Sequence, residues 1–84
     1  MSTLSESEAL DLVRQKLVIV LMIQPELVEP ETLLLSLPGA DSLRLVHAVT
    51  LLENTTGASL LENEAMLRVR TVADLARLIA GERK

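Results

Sequence analysis

The 84-residue chain contains no cysteine and no aromatic residue. Without cysteine, disulfides, thiolate catalysis and Cys-ligated metals are excluded, and nothing points to an oxidising compartment. Without Phe, Tyr or Trp, nucleic-acid bases have no stacking platform and cations have no aromatic cage. There is one histidine, His47, so no site can use several imidazoles. Basic residues are also scarce. Eight Lys and Arg stand against 12 Asp and Glu, a formal charge of −4. Phosphate binding needs a basic patch, so duplex nucleic acid is not an expected partner. Long apolar runs are missing as well. The longest, Leu17 to Ile23, is far short of the roughly 20 residues that a bilayer-spanning helix needs. The first eight residues, Met1 to Glu8, are acidic and lack the basic start of a signal peptide. The expectation is a soluble, cytoplasmic, monomeric protein with no membrane partner.

What is present is aliphatic. Hydrophobic residues make up 49% of the chain, nearly all Leu, Val, Ala and Ile, which is too many for a disordered polypeptide. The length predicts a single domain over residues 1–84. A domain this small has a modest core, and is expected to be too small for a deep substrate pocket with a full catalytic apparatus. A non-enzymatic role in binding, carrying or assembly follows.

The first segment, Ser5 to Met22, reads as a helix. Ser5 and Glu8 form an S-x-x-E capping box, with Leu4 placed as a staple. Ala9, Val13, Leu17, Val20 and Leu21 share one face, extended by Leu10. The helix becomes fully apolar towards its end, which predicts a buried last turn, and Pro25 stops it. Segment two, Gln24 to Ala40, contains all three prolines, Pro25, Pro30 and Pro38, and reads as a long ordered loop with one helical turn at Glu31 to Leu35. Leu33, Leu34, Leu35 and Leu37 in it demand burial. Segment three, Asp41 to Thr56, is a helix with Asp41 as N-cap and Gly57 past its end. Segment four, Ala58 to Arg70, is a loop anchored by Leu60 and Leu61, with a short helix near Asn63 to Leu67. Segment five starts at Thr71, buries Val72, Leu75, Ala76 and Ile79, and ends at Gly81 before a frayed tail. The predicted fold is all-α, with three main helices plus a short fourth, in a bundle with a long first loop.

The third segment carries the functional argument. At about 100° per residue, Leu45, Ala48, Val49 and Leu52 fall on one stripe, the core face. Ser42, Val46, Thr50 and Glu53 fall on the other side, flanked by Leu43, His47 and Asn54. Ser42 therefore sits in the first turn on the outward face. The start of a helix presents free N–H groups and partial positive charge, which stabilise a phosphate without a basic side chain. Leu43 and Val46 beside the serine form a contact patch.

Gly39-Ala40-Asp41-Ser42-Leu43 resembles the G-x-D-S-L attachment motif of acyl carrier proteins. The likeness extends over nearly the whole chain. A capped first helix, a leucine-bearing loop, a mid-chain motif, a helix ending at Gly57 and a closing Thr71-Val72-x-Asp74-Leu75 helix follow the family's order. The resemblance implies an acyl-carrier-like bundle with a 4′-phosphopantetheine arm, taken from coenzyme A and attached to Ser42 by a phosphopantetheinyl transferase. The arm ends in a thiol that carries acyl or aminoacyl groups as thioesters. The cofactor would then supply the sulfur that the chain lacks. By the same resemblance Asp41 caps the helix and helps the transferase hold its metal, and Gly39 permits a tight turn. Leu43 and Val46 match apolar docking positions, with Arg44, His47 and Thr50 completing the docking face.

Acyl carriers of fatty-acid synthesis have an acid-rich second helix. Here Arg44, Leu45, Val46 and His47 follow the motif, and acid returns only at Glu53. Partner recognition should rest on shape and apolar contact more than on charge steering. The implied role is a free-standing acyl carrier in polyketide or other specialised metabolism, served by acyl-loading, condensing or modifying enzymes. The alternatives are a peptidyl (aminoacyl) carrier of nonribosomal peptide assembly and an unmodified helical docking module.

Other residues have plainer readings. His47 and Ser42 lie five apart and do not face each other, so Asp41, Ser42 and His47 form no triad. Glu26, Glu29 and Glu31 read as a solvated acidic loop without calcium-loop spacing. Arg68, Arg70 and Arg77 are expected to neutralise Glu62, Glu64 and Asp74.

Overall fold

The computed structural model describes residues 5–82. Helix α1 spans Glu6–Leu21. Its start is fixed by the capping box: the Glu8 amide donates to Ser5 Oγ at 3.1 Å, and the Ser5 amide donates to Glu8 Oε1 at 3.0 Å. The staple position, Leu4, lies outside the described residues. The helix stops before Pro25 acts. Met22 turns left-handed, with φ 56°, and its amide closes the last turn on the Val18 carbonyl at 2.8 Å. Pro25 instead opens a 3-10 turn, Pro25–Leu27. The last turn of α1 is only partly buried. Leu21 packs inside, but Ile19 is 60% exposed and Met22 87%. Apolar composition on both sides of a helix cannot be satisfied by a core on one side.

The first loop contains two 3-10 turns, Pro25–Leu27 and Leu34–Ser36, in place of one turn at Glu31 to Leu35. Its anchors are Val28, Leu34 and Leu37, all buried. Leu33 and Leu35 are not buried, contrary to the expectation from the leucine run; Leu35 is 68% exposed. A short turn sends neighbouring side chains in different directions, so adjacent leucines cannot all reach one core. The loop is stitched to the start of the last helix. The Leu34 amide donates to the Arg70 carbonyl at 2.9 Å, Val72 to Thr32 at 3.0 Å and Ala73 to Pro30 at 2.8 Å. On its other side, Arg14 Nε of α1 donates to the Val28 carbonyl at 3.0 Å.

Helix α2 spans Ser42–Thr56 and ends at Gly57, whose φ of 78° suits a residue without Cβ. Glu53 then fixes the following loop. Its Oε2 accepts the amides of Leu60 at 2.7 Å and Leu61 at 2.9 Å. Leu60 is fully buried, while Leu61 is exposed and does not act as a second anchor. A 3-10 helix covers Glu64–Arg68, where a short fourth helix was expected near Asn63 to Leu67. Helix α3 spans Val72–Glu82. The Asp74 amide donates to Thr71 Oγ1 at 3.0 Å, and the Thr71 amide donates to Asp74 Oδ2 at 3.1 Å. Gly81 does not end this helix. It lies inside it, without the left-handed φ found at Gly39 and Gly57.

Among the described residues there are three α-helices and no strand. Helix α1 packs against both α2 and α3. Val13, Leu17, Leu52, Leu60, Leu75 and Ile79 are the largest wholly enclosed side chains together with Val28 and Val72. The radius of gyration is 11.5 Å, against the about 12 Å that a globular chain of this length has. Among the described residues no helix is long and apolar enough to cross a membrane.

Candidate functional site at the start of α2

The turn that leads into α2 is made by Leu37 to Ala40. The Ala40 amide donates to the Leu37 carbonyl at 3.0 Å, and Gly39 takes φ +78°. That φ is costly for any residue with a side chain. Asp41 is extended and caps the helix, its Oδ1 accepting the Arg44 amide at 2.8 Å. The Leu45 amide closes the first turn on the Asp41 carbonyl at 3.0 Å. Two of the first amides, those of Ser42 and Leu43, take no partner among the described residues. Ser42 is the first residue of the helix and is exposed. Its hydroxyl therefore stands in solvent beside two unpaired N–H groups at the positive end of the helix.

The neighbours on the outward face are placed as the wheel predicts. Leu43 is 79% exposed, and Val46, Arg44 and His47 are exposed too. Thr50 is half-buried, and its hydroxyl donates to the Val46 carbonyl at 2.9 Å. It offers a partner mainly its methyl group. Arg44 Nη1 reaches back to the Gly39 carbonyl at 3.5 Å, bridging the turn and the helix.

Sequence reasoning missed a cavity. Ser42 stands on the lining of an apolar cleft of about 620 Å³, within the size range of small-molecule sites. The cleft runs between α2, through Leu45, Val46 and Val49, and the loop leucines Leu33 and Leu35. Leu17 and Leu75 border it from the core. The cleft is half open to solvent and is not a deep enclosed pocket. Its polar lining is only Ser36, Ser42 and Arg70, which offers no pair of acid and base. No short stretch of sequence signals the cleft, since it lies between α2 and a loop that is distant along the chain from its partners in α3.

The other sequence candidates separate. Among the described residues no group of three His, Cys, Asp or Glu could hold a metal, which leaves Glu26, Glu29 and Glu31 as exposed loop acids. Of the three arginines, Arg77 alone neutralises an acid, at 3.1 Å from Asp74 and 3.9 Å from Glu6. No carboxylate among the described residues pairs with Arg44, Arg68 or Arg70. Asp74 is held below its ordinary carboxyl value, chiefly by the Thr71 amide and then by the Arg70 amide and the Arg77 charge.

Compared with models of known protein families and with curated proteins, the chain matches none.

Proposed function

We propose that this chain is a carrier protein of the acyl type, with Ser42 as the attachment point of a 4′-phosphopantetheine arm. The observation that carries the reading is the position of the Ser42 hydroxyl. It is exposed at a helix tip, beside two free amides, and on the lining of an apolar cleft. The residues present fit the arm. A phosphodiester on Ser42 Oγ would lie beside the Ser42 and Leu43 amides. When bound, the arm supplies a thiol on which acyl groups travel as thioesters.

This chain's own part is presentation. Asp41 holds the helix start in place, so the serine does not fray away from the approaching transferase. Ser42 Oγ forms the new bond to phosphorus of coenzyme A; adenosine 3′,5′-bisphosphate leaves with the electron pair, and the serine proton goes to a base on the transferase. Leu43 and Val46 offer apolar contact to whichever enzyme loads or modifies the cargo. The aliphatic cleft supports acyl over aminoacyl cargo, since its walls shelter methylene groups and give little to an ammonium. Polyketide or other specialised metabolism is the setting we favour, on the absence of acid from the first turns of α2.

The test is intact mass after incubation with coenzyme A and a broad-specificity phosphopantetheinyl transferase. Wild type should gain one arm and Ser42→Ala none. A wild-type protein that stays unmodified overturns the reading. The exposure of Leu35 and Leu43 favours a second reading, a docking module that never carries an arm. Under it Ser42→Ala retains full biological activity and Leu43→Ala loses it.

A further inference from the structure

Arg70 is the one cation on the lining of the cleft. Its backbone is fixed on both sides. The Arg70 carbonyl accepts from the Leu34 amide at 2.9 Å, and the Arg70 amide donates to Asp74 Oδ2 at 3.1 Å. The nearest acid in sequence is therefore already engaged. Asp74 accepts from the backbone of Arg70 and Thr71 and from Arg77 Nη1. That leaves Arg70, an exposed residue on the cleft lining, with no carboxylate partner among the described residues. Its surroundings on that wall are Leu33, Leu34, Leu35 and Val69.

An otherwise apolar cleft with two serines and one arginine without a carboxylate partner on its lining is complementary to a particular cargo. Methylene groups match the leucine walls, and a planar anion matches the guanidinium fork. We infer that the cleft takes an unbranched acyl chain whose far end carries a carboxylate, and that Arg70 reads that carboxylate. The inference rests on the carrier reading and adds a substrate class to it. Apolar matter alone would select against such a cargo, because a carboxylate in an aliphatic cleft loses its water without replacement. Arg70 reverses that preference. It is a specificity residue and takes no part in attaching the arm.

The experiment uses the full chain loaded at Ser42 by a broad-specificity transferase. The donors are octanoyl-, decanoyl- and dodecanoyl-coenzyme A and the matching ω-carboxyacyl-coenzyme A compounds. Loading is read by intact mass. Cleavage of the thioester by hydroxylamine reports how well the chain is sheltered, and the Arg70 Nε–Hε resonance reports contact with the cargo. At matched length, the ω-carboxyl cargo should survive about 1.5 to 5 times longer in wild type, the range of a solvent-exposed charge pair. The Arg70 resonance should shift with that cargo alone. The ratio should fall below one in Arg70→Gln, where the cleft's own preference for a methyl end returns, fall in strong salt, and recover in part in Arg70→Lys. Arg70 is exposed and its structural bonds are made by its backbone, so the variants keep the fold. Equal lifetimes in wild type, or longer ones for the methyl-ended chains, overturn the inference while leaving the carrier reading intact. Failure of every donor to load Ser42 removes the carrier reading and this inference with it.

Discussion

The carboxylate of Asp41 accepts the amide of Arg44 at 2.8 Å, so the residue before the candidate serine is committed to the helix start. Asn caps as well as Asp, and Ala does not. Asp41→Asn should leave the urea midpoint nearly unchanged, and Asp41→Ala should lower stability by about 1 kcal/mol. Asn cannot replace the charge that, under the carrier reading, helps the transferase hold its metal. Asp41→Asn should therefore slow arm attachment although it folds as well as wild type. Equal attachment rates for both proteins would confine Asp41 to capping.

Leu43 and Val46 stand outside the core, so truncating either should change stability by less than about 0.5 kcal/mol. Under the carrier reading, the effect should appear in the activity of partner enzymes. Loading rates measured at limiting carrier should fall for Leu43→Ala and Val46→Ala and hold for an exposed control such as Gln15→Ala.

Glu53 accepts two amides with one oxygen, which ties α2 to the segment carrying Leu60. Glu53→Ala leaves the part-buried Leu60 amide without its partner, at a cost of about 1–3 kcal/mol. Chemical denaturation measures that loss. Amide hydrogen exchange at Leu60 and Leu61 should accelerate in the same variant.

Asp74 gives the acid response its direction. Its carboxyl is held below its ordinary value of 3.8, first by the Thr71 amide. A group with a lowered folded pKa stabilises the protein above the unfolded value and loses that contribution as pH falls through the folded one. Taking urea midpoints from about pH 7 down to about pH 3, wild type should lose more stability than Asp74→Asn across the acid end. Parallel curves would place the acid response elsewhere.

Much of the fold was legible because local chemistry agreed with tertiary need. Ser5 with Glu8, Asp41 and Gly57 mark helix ends through bonds that span only a few residues, and such bonds form wherever the sequence permits. The outward face of α2 was legible for the same reason, since a helix fixes direction by spacing. Loops have no such rule. Leu33 and Leu35 look like Leu34 and Leu37 in sequence, and only the turn geometry decides which pair is buried. Gly81 carries the residue type of a helix end, yet α3 continues through it. The cleft was illegible because it is a property of distance between α2 and the proline loop, which no short stretch of sequence encodes. The place of Arg70 was missed with it, since counting charges pairs it with acids such as Asp74, which the Thr71 amide and Arg77 already engage.

The bonds from Pro30, Thr32 and Leu34 to residues 70–73 join parts of the chain that are made far apart in time. During synthesis, the proline-bearing stretch leaves the ribosome long before its partners do. Until Ala73 emerges, the loop carrying Leu33 to Leu35 lacks these bonds and is tied to α1 through Arg14 and the Val28 carbonyl. Ser42 can be displayed by α2 earlier than that. On the carrier reading, a transferase acting early would meet the Ser42 helix tip before the neighbouring loop is locked to α3.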